Sequence, residues 1–176
     1  LSENPGIEKA MLSTVHAMTT TQNLADGPVN GGKDFRRGRA ASQNIVPSTT
    51  GAAIAVTRAV PSLENKFDGI ALRVPTIAGS LSDITFVSKR RTSVEEINDI
   101  LIHASNEPRW QGILKVTKDQ LVSSDILGEP YGAIIDLGFT KVVDGNLVKV
   151  LSWYDNEWGY VATLVRHVLS AANHLA

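Results

Sequence analysis

The sequence predicts an α+β domain: a largely antiparallel or mixed sheet with about three helices packed on one face. Three observations predict it. Several runs alternate apolar and polar residues or are rich in β-branched ones, the pattern of half-buried strands. Two longer runs carry apolar residues at helical spacing instead. No linker, internal repeat or low-complexity block divides the chain, so its 176 residues are read as a single domain, 1–176, with one core.

The elements follow in order. "EKAMLSTVHAM" is a strand carrying His16 near its end. Residues 19–42, "TTTQNLADGPVNGGKDFRRGRAAS", form a long polar loop, and such loops inside compact domains are usually functional or disordered. "NIVPSTTGAAIAVTRAVPSL" is a short strand, a turn and a helix that Ser48, Thr49 or Thr50 could cap and Pro61 stops. "FDGIALRVPT" and "LSDITFVSKR" are two strands. "SVEEINDILIHAS" places Val94, Ile97, Ile100, Leu101 and Ala104 on one helical face, with Ser93 as cap. "GILKV", "AIIDLGF" and "TKVVDGNLVKVLSWY" supply further strands, with Asp144-Gly145-Asn146 as a hairpin turn. The last run, "NEWGYVATLVRHVLSAANHLA", is an amphipathic helix with a stripe at 161, 164, 165, 168, 169 and 172.

Seventeen basic residues against eighteen acidic ones argue against a nucleic-acid or membrane-surface role carried by bulk charge. No apolar run approaches the roughly 20 residues that span a bilayer. With no cysteine, disulfides and thiolate metal ligands are excluded within this chain, and no metal site is expected. The chain starts at Leu1 with neither a basic start nor an apolar signal region, and it is expected to be a fragment of a longer, cytoplasmic protein.

Four places could carry chemistry. His16 could be a general acid or base, or simply a hydrogen-bonded histidine at a strand end. Arg36, Arg37 and Arg39 precede a Thr-Thr-Gly that opens a helix. Free N–H groups, threonine hydroxyls and an arginine fork together suit phosphate, although an exposed basic loop beside a capped helix reads equally well. Arg73 lies in an otherwise apolar strand and needs an anion, supplied by an acidic side chain or by a bound phosphate. In "SWYDNEWGY", Asp155 or Asn156 would cap the last helix, and Glu157 favours its first turn.

Taken in order, "GIEKAMLSTVHAMTTTQ", "DFRRGRAASQNIVPSTTGAA", "LRVPT" and "VKVLSWYDNEWGY" resemble the catalytic domain of phosphorylating glyceraldehyde-3-phosphate dehydrogenases. The resemblance runs from about Gly6 to the C-terminus. It implies an N-terminal Rossmann domain that binds NAD or NADP, and a catalytic cysteine in an S-C-T-T-N motif, both upstream of Leu1. His16 would then be the base that activates that cysteine.

The same resemblance assigns Thr19, Thr21 and Arg73 to the phosphate of an aldehyde-phosphate substrate. It assigns Arg37, Thr50 and Gly51 to inorganic phosphate, the co-substrate. Asn156 would contact the nicotinamide carboxamide, with Tyr160 behind it. Residues of about 18–42 would be the S-loop, which lines a neighbouring subunit's cofactor site in a homo-tetramer. The isolated chain, lacking nucleophile and dinucleotide domain, is expected to be inactive. Met18, Ile54, "IAGSLSD" and the "NGGKD" of the S-loop depart from the family's commoner pattern. Two alternatives stand beside this reading: erythrose-4-phosphate dehydrogenase, and a non-catalytic phosphate-binding or assembly module.

Overall fold

The computed structural model of the chain describes residues 1–29 and 33–174. Seven strands form one mixed sheet: β1 (Ile7–Ala17), β2 (Val46–Thr49), β3 (Phe67–Val74), β4 (Ser80–Ser88), β5 (Leu114–Thr117), β6 (Ala133–Val143) and β7 (Leu147–Tyr154). Three helices accompany them: α1 (Ala52–Ala59), α2 (Val94–Asn106) and α3 (Trp158–Ala172). Across the sheet the order is β2-β3-β1-β4-β7-β6-β5. β1 pairs parallel with β3 and β5 with β6, and the remaining neighbours are antiparallel.

Alternation decides which face is buried. Ala10, Phe86, Val148, Val150, Ile135 and Leu137 share a core with Ile97 and Leu101 of α2. Phe86 pairs with Val148 and Ile84 with Val150, so one residue in two along β4 and β7 points at that core. α2 forms where Ser93 accepts from the Glu96 N–H and the helix lies on β5 and β6, while α1 lies on β3. The opposite face carries Met11 and Ile70, both substantially exposed, and the Lys149–Asp83 ion pair.

The predicted strands and helices are present, with two refinements. "AIIDLGF" and "TKVV" are one strand, β6, whose register shifts between Asp136 and Lys141. The 144–145 turn is made as expected, with Asp144 at φ 47° and Gly145 at φ 73°. α3 forms, but its apolar stripe is not packed on the sheet: Val161, Leu164, Val165, Val168 and Leu169 are between 44% and 61% exposed. α3 leaves the sheet beyond the end of β7, and Gly159 is its buried residue. Periodicity reports that a stripe exists, not that the chain itself covers it. No described helix is long and apolar enough to cross a membrane.

Candidate functional site

The site is built where β1, β3 and β7 end and β4 begins. His16 and Arg73 are register partners on the parallel pair β1–β3. Arg73 Nη1 lies 2.6 Å from His16 Nδ1, 3.2 Å from the Ala17 carbonyl and 3.5 Å from Thr19 Oγ1. Thr19 and Thr21 hydroxyls are 3.2 Å apart, and Arg37 donates to Thr21 Oγ1 at 3.0 Å and to Ser48 Oγ at 2.9 Å. One continuous network therefore links five of the predicted residues, His16, Thr19, Thr21, Arg37 and Arg73.

Local structure explains how Arg37 arrives there. It sits in a single 3-10 turn, Phe35–Gly38, opened by the Asp34 side chain, which accepts from the Arg36 N–H. The Asn23 N–H donates to the Arg37 carbonyl at 3.1 Å, tying the turn to the start of the same loop. Its neighbours are spent elsewhere: Arg36 pairs with Asp34 and Arg39 with Asp26. Arg37 and Arg73 have no carboxylate partner among the described residues. Of the two ways to satisfy Arg73, an internal acidic side chain is therefore not the one used.

Electrostatics follow from this crowding. Burial, then the nearby Arg37, holds the Arg73 guanidinium below its usual value. Burial also lowers the His16 pKa, with the Arg73 charge acting the same way and the bond to Ala17 opposing both. Nδ1 lies within reach of both Arg73 and the Ala17 carbonyl, at 2.6 and 2.7 Å, and can serve only one. Accepting from Arg73 requires an unprotonated Nδ1, and with the Nδ1 proton given to Ala17, burial and the facing guanidinium still disfavour a second proton on the ring. The Tyr154 ring meets the imidazole edge-on at 6.0 Å, and its hydroxyl is 2.8 Å from Thr14 Oγ1.

Asn156 joins by another route. Ser80 Oγ accepts from the Ala17 N–H at 3.2 Å and donates to Asn156 Oδ1 at 3.0 Å. Thr50 and Gly51 stand at the start of α1, where Thr50 Oγ1 accepts from the Ala52 N–H and a Cβ on Gly51 would meet nothing within 4 Å. Tyr160 is 64% exposed on the first turn of α3 and is not drawn into the network. The "NGG" of the S-loop, residues 30–32, lies outside the described residues. Asp155 does the capping expected of it or Asn156, accepting from the Glu157 and Trp158 N–H groups at 2.8 Å each.

The sequence reading assigned no site role to Ser80 or Tyr154, and offered Ser48 only as a helix cap. Ser48 had a signal, since it shares with Val46 the buried side of β2. Ser80 had none locally. Grooves of about 800 and 840 Å³ lie away from these residues, one against α1 and β1, the other between α2 and Leu1.

The fold and the network define an α+β domain whose sheet end sets His16 against Arg73 and links it through Thr19 and Thr21 to Arg37, with neither arginine on a carboxylate among the described residues. Comparison with known proteins gives that arrangement a family. Residues 1–156 match the model for glyceraldehyde 3-phosphate dehydrogenase, C-terminal domain, and the chain belongs to that family. It is 50% identical over 165 residues to a glyceraldehyde-3-phosphate dehydrogenase of Mycobacterium avium, covering 94% of this chain and 47% of the relative. It is 45% identical over 175 residues to one of Streptomyces coelicolor, covering 99% of this chain and 51% of the relative. The chain spans about half the length of these relatives.

Proposed function

We propose that this chain is the catalytic domain of an NAD(P)-dependent, phosphorylating glyceraldehyde-3-phosphate dehydrogenase. In this reading it works in the cytoplasm, within a homo-tetramer and joined to a dinucleotide-binding domain. The observation that carries the reading is the network from His16 through Arg73, Thr19 and Thr21 to Arg37, with two guanidinia that meet no carboxylate among the described residues. Family membership supports it.

The residues divide the work by chemistry. With its proton on Nδ1 donated to Ala17, the tautomer in which Arg73 Nη1 donates to the Ala17 carbonyl and not to the ring, His16 keeps a lone pair on Nε2 and can take a proton from a thiol brought beside it. A neutral ring flanked by Arg73 is ready to accept that proton at neutral pH and disposed to give it up again. Arg73, with Thr19 and Thr21, offers donors to the phosphate of an aldehyde-phosphate substrate. Arg37, Thr50 and Gly51 offer donors to inorganic phosphate, with backbone room at Gly51. Asn156 has an amide suited to a carboxamide carbonyl, and Tyr160 follows it in the first turn of α3. The nicotinamide cofactor, when bound, supplies the acceptor for hydride.

The test is to isolate the native protein carrying this chain with an antibody against the domain. Reduction of NAD or NADP is then followed with glyceraldehyde 3-phosphate, with and without inorganic phosphate. Phosphate-dependent reduction is the expected result. No reduction by the native protein would leave the phosphate-binding or assembly module as the better reading. Faster turnover of erythrose 4-phosphate would move the assignment to that substrate.

A further inference from the structure

We infer that Ser80 is a positioning residue, whose buried hydroxyl decides which end of the Asn156 carboxamide faces the site. The inference rests on the reading of Asn156 as the contact for a nicotinamide carboxamide, and it adds a residue to which neither the resemblance nor the family assignment gives a role.

Ser80 opens β4, pairs with Tyr154 and is 1% exposed. A hydroxyl has one proton and two lone pairs. The Ala17 N–H can only donate, so it takes a lone pair of Ser80 Oγ at 3.2 Å. The hydroxyl proton then needs an acceptor, and Asn156 Oδ1 at 3.0 Å is its acceptor among the described residues. Turning the amide over would aim Nδ2 at the same oxygen. Two donors would then converge on Ser80, and its own proton would be buried without an acceptor, the more costly arrangement.

The consequence is chemical. Asn156 is held with its oxygen spent inward, so what it presents is its NH2, a group that only donates. Such a group selects a carbonyl oxygen. Because Ser80 also grips Ala17, the residue after His16, the carbonyl-binding donor and the proton-accepting ring are referenced to the same strand end. Ser80 itself touches neither substrate nor cofactor, and it acts through Asn156.

The experiment uses the native protein and equilibrium calorimetry, with NAD and with ADP-ribose, which lacks the nicotinamide. Three variants are compared: Asn156→Ala, Ser80→Ala and the double variant. Ser80→Ala is expected to weaken NAD about fivefold, the worth of one net hydrogen bond, and to leave ADP-ribose unchanged. The double variant should lose no more than Asn156→Ala alone. Equal losses for both ligands in Ser80→Ala, or additive losses in the double variant, would overturn the positioning role. A loss in Asn156→Ala with none in Ser80→Ala overturns Ser80 alone. An unchanged NAD-to-ADP-ribose ratio in Asn156→Ala removes the carboxamide contact and the inference with it, whatever the enzyme's turnover of aldehyde. Should Ser80→Ala fail to fold, Ser80→Cys goes through the same cycle.

Discussion

Arg73 Nη1 approaches His16 Nδ1 to 2.6 Å, a fixed positive charge set against an imidazole ring. Burial comes first and this charge second in lowering the His16 pKa. Replacing Arg73 by Leu should therefore move the His16 pKa upward, read from the ring C–H shifts in an NMR titration. An unmoved midpoint would mean the two side chains do not sense each other.

The same shift has a stability consequence whose sign is fixed. The folded state holds His16 below the ordinary 6.5, so between the two values the unfolded chain binds more protons. That contribution is complete above about pH 6.5 and is lost as pH falls to the lowered value. In urea unfolding at a series of pH values, His16→Gln should flatten this part of the profile.

Anion affinity should depend on which arginine is removed. Arg37→Ala and Arg73→Ala are each expected to weaken sulfate or phosphate binding roughly tenfold, the scale of one charge-assisted hydrogen bond. Arg36→Ala should leave it unchanged, because Arg36 is committed to Asp34. Calorimetry on the three variants checks both halves, and equal effects would dissolve the proposed phosphate sites.

Asp155 is 5% exposed and accepts from the N–H groups of Gly128, Glu157 and Trp158. Burial pushes its carboxyl up, and the three bonds outweigh that and lower it. Asp155→Ala should cost about 2 kcal/mol in denaturant unfolding. Since the folded pKa is the lower one, the stabilisation is present above the unfolded value of about 4 and disappears as pH falls through the folded value.

Gly79→Ala should destabilise the domain by about 2 kcal/mol or more. Gly79 sits at φ +84°, and a Cβ there would come 2.5 Å from the Ser123 carbonyl oxygen. A shifted urea midpoint with an unchanged slope is the expected reading.

What could be read from the sequence was what is local or periodic. His16 on a strand, the Ser93-capped helix and the Asp144-Gly145 turn each follow from a few adjacent residues. Arg73 was identified as wanting an anion because a guanidinium in an apolar strand is anomalous by itself. The parallel pairing that sets Arg73 against His16 was not legible, because register between strands 57 residues apart is a property of the assembled sheet. Ser80 escaped for the same reason: both of its partners, Ala17 and Asn156, are more than 60 residues away. The α3 stripe was legible as a pattern, and its exposure was not, since periodicity says nothing of what a face meets.

The β1–β3 pairing also bears on how the site comes into being. A parallel contact between residues 57 apart must close the whole intervening segment, so it forms slowly relative to a hairpin. The histidine and its guanidinium meet only where β1 and β3 are paired, so whatever opens β3 at that end parts them. Anion binding should accordingly slow amide hydrogen exchange deep in β1 and β3, not merely in the loop that touches the anion.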